Sequence, residues 1–97
     1  MPPGRPFTRI AYLAGFTRSL KKIPIEIRPR IDEAIEELLS DPIPGKYDFK
    51  KLNGYRNPNI YTITIGGNHA YKISLEIVDG CAVLRRAGTH KQIDNGP

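Results

Sequence analysis

Residues 70–94 read AYKISLEIVDGCAVLRRAGTHKQID, and the way they pair decides the fold. Tyr71, Ile73, Leu75 and Ile77 alternate with Lys72, Ser74, Glu76 and Val78, the period of two that gives a strand one buried face. Asp79-Gly80 follows. Two such residues between apolar runs make a tight hairpin turn, because both positions need positive φ, which Gly adopts freely and Asp tolerates. Cys81 to Ala87 is therefore the returning strand, and the turn sets its register. With Val78 opposite Cys81, the ladder continues as Ile77 with Ala82, Leu75 with Leu84, Ile73 with Arg86, Tyr71 with Gly88 and His69 with His90. Side chains paired across a ladder share a face. His69, Tyr71, Arg86 and His90 are thus expected together at the open end of the hairpin, beyond the apolar rungs. Such a set is unlike plain core; the alternative is that Arg86 reaches past the sheet edge to solvent and the histidines lie on a loop.

Upstream, Tyr61, Ile63 and Ile65 alternate with Thr62 and Thr64, and Gly66-Gly67-Asn68 breaks the run, so residues 60–65 form a second hairpin with the first. Phe7 to Leu13 reads as another strand. Gly15 marks its exit, and Phe16, Leu20 and Ile23 make one stripe of a short helix whose other face holds Arg18, Lys21 and Lys22. Pro24 ends it. Ile27, Ile31, Ala34, Ile35, Leu38 and Leu39 continue at spacings of three and four, which predicts a longer helix over 25–40. Pro29 leaves two starts open: a helix from Pro24 that loses a bond at Pro29, or a helix with Pro29 in its first turn after a bend. Asp32, Glu33, Glu36 and Glu37 lie off the stripe and read as a solvated face rather than a catalytic carboxylate pair. Asp41 to Gly45 terminates the helix, and residues 46–55 are basic and irregular. The order is β-α-α-β-β-β, an α+β chain with two N-terminal helices packed on a twisted antiparallel sheet.

Ninety-seven residues suit one domain, expected over 7–94, with flexible tails at 1–6 and 95–97. No apolar stretch approaches a membrane span and no apolar leader opens the chain, so the expected location is cytoplasmic. One cysteine and two histidines offer no zinc-ligand spacing, and neither a metal nor another cofactor is expected. Residues 1–30 carry seven bases and one acid, 31–41 five acids and no base, and 42–97 eight bases and four acids. A basic surface interrupted by one acidic helix favours phosphate-rich partners.

The helix SLKKIPIEIRPRIDEAIEELLSDP, then KKLNGY, then a C-terminal R-x-G-T-H resemble, in order and spacing, the RelE/ParE superfamily of bacterial toxins. Residues 70–90 are most similar to the YafQ-like branch, whose last strand carries an arginine followed by glycine and histidine, matched by Arg86, Gly88 and His90. In the RelE branch the penultimate strand begins Tyr-Arg-Leu, matched by Tyr71-Lys72-Ile73, which makes Lys72 the counterpart of a phosphate-binding arginine. The resemblance implies a ribosome-dependent, metal-free mRNA endoribonuclease silenced by a cognate antitoxin. It gives Arg86, His90 and Tyr71 catalytic roles, which His69 joins by the hairpin register, and Lys72 a phosphate; Lys50, Lys51, Arg85 and Lys91, further bases of the half that forms the sheet, are expected to bind RNA phosphates with it. Departures are visible: threonines stand in the strand at 61–65 where RelE proteins carry lysines, Ala70 replaces a carboxylate, and no aromatic follows His90. They keep two alternatives open, an inactive member that binds only antitoxin or RNA, and a ParE-like inhibitor of DNA gyrase.

Overall fold

The computed structural model describes residues 7–40, 43–56, 58–65 and 71–97. Its elements run β1 (Arg9–Tyr12), α1 (Ala14–Leu20), α2 (Arg28–Glu37), a 3-10 turn (Gly45–Tyr47), β2 (Lys50–Lys51), β3 (Tyr61–Ile65), β4 (Tyr71–Val78), β5 (Cys81–Thr89) and α3 (His90–Asn95). The five strands form one sheet in the order β1-β5-β4-β3-β2. The α+β class is as expected, but the sheet is mixed: β1 lies parallel to β5, with Arg9 opposite Cys81 and Tyr12 opposite Leu84, while the other pairs are antiparallel. A parallel partner far along the chain leaves no local signal. The second reading of Pro29 holds, since α2 takes the proline in its first turn after a bend at 25–27.

The β4–β5 hairpin follows the expected register only to its middle. Asp79 and Gly80 take φ of 48° and 76°, and the pairs Val78 with Cys81, Ile77 with Ala82 and Leu75 with Leu84 form. A bulge then intervenes. Arg85 is the extra residue, so Ser74 faces Arg86, Ile73 faces Ala87, Lys72 faces Gly88 and Tyr71 faces Thr89. The expected pairs of Ile73 with Arg86 and Tyr71 with Gly88 are thereby overturned. The irregularity starts where β5 loses its outer neighbour, for β1 pairs no further than Leu84. Past that point α1 crosses the open edge: Ser19 Oγ accepts a hydrogen bond from the Ala87 amide at 2.9 Å, and a Cβ on Gly15 would stand 3.3 Å from the Arg85 carbonyl oxygen.

One face of the sheet carries the core. Ile63, Ile73, Leu75, Leu84 and Ala87 meet Phe16, Ile31, Ala34, Ile35 and Leu38 from the helices, all of them buried. Each large side chain removed from water there contributes about 1.5–3 kcal/mol. Phe7 closes one end, edge-on to Phe49, which stacks on Tyr61. The opposite face is polar yet largely covered, with Thr62, Thr64, Lys72 and Ser74 all buried. Over β4 and β5 its cover is α3, whose Ile93 is wholly buried. Thr89 starts that helix with a capping box, its Oγ1 accepting from the Gln92 amide at 3.2 Å while its own amide donates to Gln92 Oε1 at 2.9 Å. Gly88 makes room, since a Cβ there would fall 2.8 Å from Gln92 Oε1. Residues 95–97, read from sequence as a tail, include the last residue of α3 and two carbonyls that accept hydrogen bonds from the sheet. Among the described residues no helix is long and apolar enough to cross a membrane.

Candidate functional site

The open edge of β5, between α1 and α3, borders a groove of about 580 Å³. Arg85 and Arg86 line it from the strand, Arg18 and Lys22 from α1 and the turn after it, Tyr71 from β4 and Gln92 from α3. The bulge matters here. In a regular strand successive side chains point to opposite faces. With Arg85 bulged, Arg86 shares the face of Ser74, and Arg85 reaches Glu76 on that same face, its Nη1 at 2.7 Å from Oε2. Two adjacent cations are thus delivered to one side of the sheet at its open edge. Arg86 Nη1 donates to the Gly96 carbonyl at 2.8 Å and Arg85 Nε to that of Pro97 at 3.4 Å, so both guanidiniums are held in place by main-chain oxygens.

A second cluster lies on the strand side of α3. His90 Nδ1 is 2.9 Å from Asp94 Oδ2, and Asp94 Oδ1 is 3.0 Å from Lys72 Nζ. The lysine side chain is 3% exposed and the histidine 54%. Lys72, expected to meet an RNA phosphate, is instead committed to Asp94.

The four residues expected on one face are therefore distributed. Tyr71 stays on the face that carries the core, opposite Thr89, and is packed against it. Arg86 lies on the other face and meets Tyr71 only around the groove at the strand edge. His90 is not a rung of the ladder but the first residue of α3, next to Thr89, which lines the groove. His69 falls outside the described residues. Of the expected phosphate binders, Arg85 is at the groove, and Lys91 is exposed beside Arg86 in the adjoining hollow at the α3 end. Lys50 and Lys51 are exposed on β2, on the far side of the sheet, with Lys50 3.3 Å from Asp48.

Arg18, Lys22 and Asp94 went unread as site residues. The first two were visible as the polar face of a helix, and only the crossing of α1 over β5 brings them to the arginines. Asp94 had a local signal, because T-x-x-Q at 89–92 starts a helix and places His90 and Asp94 one turn apart.

The fold, two helices on one face of a mixed sheet, is one found in solved toxin structures. The E. coli DinJ–YafQ toxin–antitoxin complex shares it at a TM-score of 0.68 and 17% identity, over 87% of this chain and 93% of that one. The RelB–RelE antitoxin–toxin complex of Methanococcus jannaschii matches with a TM-score of 0.69 and 35% identity, covering 90% of this chain and 99% of the other. Toxin RelE3 of Methanocaldococcus jannaschii is 32% identical over 87 residues, which are 88% of this chain and 93% of that protein. No family model matches the sequence. The chain belongs to the RelE family of toxins.

Proposed function

We propose that this RelE-family toxin is a ribosome-dependent mRNA endoribonuclease that acts in the cytoplasm and is held silent by a cognate antitoxin. The observation that carries the reading is the convergence of Arg18, Lys22, Arg85 and Arg86 with Tyr71 around one groove. RNA cleavage of this type forms a bond from the ribose 2′-oxygen to phosphorus and breaks the bond to the 5′-oxygen. A base takes the 2′-hydroxyl proton, an acid gives one to the leaving oxygen, and cations stabilise the extra charge on the phosphoryl oxygens. Arg86 and Arg85 suit the last task, since a guanidinium offers two parallel donors to a phosphate. His90 suits the proton transfers, because an imidazole ring has one nitrogen that can accept a proton and another that can donate one. Tyr71 can stack on a base or orient the ribose.

The antitoxin follows from the company the fold keeps, for the RelE and YafQ structures are both complexes with an antitoxin, RelB or DinJ. Co-expression with the neighbouring reading frame should recover a tight complex, and its absence would count against this part. One observation favours the inactive alternative: Glu76 holds Arg85 at 2.7 Å, and substrate has to displace it. Primer extension on mRNA in a translating extract separates the two. Parent protein should cut at defined positions, while Arg86→Ala and His90→Ala should each lower cutting by about a hundredfold or more with unchanged melting. A parent that cuts nothing would leave the binding-only reading in place, and full cutting by His90→Ala would remove that residue from the chemistry.

A further inference from the structure

Lys72, Asp94 and His90 form a line of three polar side chains that ends in an exposed imidazole. Lys72 rises from β4 and is almost wholly enclosed, so its ammonium requires an anion, and Asp94 Oδ1 at 3.0 Å provides it. That contact fixes the carboxylate from the strand side. The other oxygen, Oδ2, then faces His90 Nδ1 at 2.9 Å. Both residues sit on a helix anchored by the Thr89–Gln92 capping box and by buried Ile93.

We propose that Asp94 is a positioning residue that keeps the His90 proton on Nδ1, that Lys72 in turn fixes Asp94, and that the bare Nε2 is thereby presented outward. An ionised carboxylate offers only lone pairs, so with Asp94 Oδ2 2.9 Å away the neutral imidazole is favoured with its proton, rather than a second lone pair, on Nδ1. Nε2 is left with its lone pair. It can take the 2′-hydroxyl proton as the new phosphorus–oxygen bond forms or, once protonated, give that proton to the 5′-oxygen as the old bond breaks. This use of Nε2 rests on the nuclease reading above; the tautomer does not. The sequence lacks the strand lysines and the carboxylate at position 70 that the family pattern carries.

The test compares the parent, Asp94→Asn, and Asp94→Asn combined with Lys72→Met. Nitrogen-15 shifts of the His90 ring are read on the alkaline side, at a pH beyond which they no longer change, with His69 assigned through His69→Gln. The parent should show protonated Nδ1 and bare Nε2. In Asp94→Asn the single amide oxygen stays with the buried ammonium, the NH₂ turns to Nδ1, and the ring proton moves to Nε2. Removing the ammonium with Lys72→Met frees the oxygen to accept from Nδ1–H again, and the parent tautomer returns. In the translating extract, cutting should drop about a hundredfold or more in Asp94→Asn and largely recover in the double variant. A purely structural role would lower the melting temperature without moving the ring proton. A tautomer unchanged by Asp94→Asn, or not restored in the double variant, overturns the proposal. A parent that does not cut refutes the nuclease reading alone, and the ring shifts still decide between positioning and structural roles.

Discussion

Tyr47 shows what a single buried hydroxyl does in this small core. The side chain is enclosed, and neither its hydroxyl nor Glu37 Oε2 beside it has a hydrogen-bond partner of good geometry. Burial, with the Glu37 carboxylate close by, pushes the phenol above its ordinary range. A group whose folded value is raised contributes stability that is complete below the unfolded value, about pH 10 for a phenol, and is lost as pH climbs through the folded one. Chemical denaturation should therefore find the parent losing stability above about pH 10 more steeply than Tyr47→Phe. At neutral pH the variant should match the parent or exceed it by about 1 kcal/mol at most, because it discards an unmatched polar group. A loss of several kcal/mol would reveal a partner for the hydroxyl. The sequence marked the acids of α2 as a solvated face, and Asp32, Glu33 and Glu36 are indeed exposed. Glu37 departs from that pattern because the 3-10 turn folds Tyr47 against it, an arrangement that no periodicity encodes.

Among the elements, the hairpin separates what local sequence can say from what it cannot. Asp79-Gly80 is a two-residue signal for its own backbone, and the rungs beside it form as expected. The bulge at Arg85 answers to distant events, the end of β1 and the passage of α1, so the register of the open half was out of reach. The register reading singled out Arg86 and His90 but set them on one face with Tyr71, whereas one stands on the polar face and the other opens a helix. That helix depends on its cap. Thr89→Ala removes the side chain that satisfies the Gln92 amide and should cost about 1 kcal/mol. Hydrogen exchange should quicken across 90–95 while β3 and β4 stay protected. Equal quickening throughout would mean that α3 and the sheet open as one unit. Gly88→Ala should act on the same helix by sterics, driving Gln92 Oε1 out of the box and lowering the melting temperature.

For the whole molecule, the net charge of +5 is less informative than where the cations gather. Binding to RNA or ribosomes should weaken steeply with salt, and replacing Arg18 and Lys22 together by alanine should reduce the logarithmic salt slope by about two, roughly one for each phosphate that is no longer neutralised. An unchanged slope would take α1 out of the binding surface. The same groove has a property in time. One wall is α1 and the other is β5, and β1, which leads into α1, finds its sheet neighbour only when Cys81 to Leu84 exist. Pairings between such distant stretches form late, because a long loop must close before they return any stabilisation. A ribosome translating this chain thus extrudes β1 and α1 with nothing to pack against, and the basic groove cannot assemble until synthesis has passed Thr89. For most of its translation the nascent toxin has no working surface, an interval in which an inhibitor already present in the cell can wait for it.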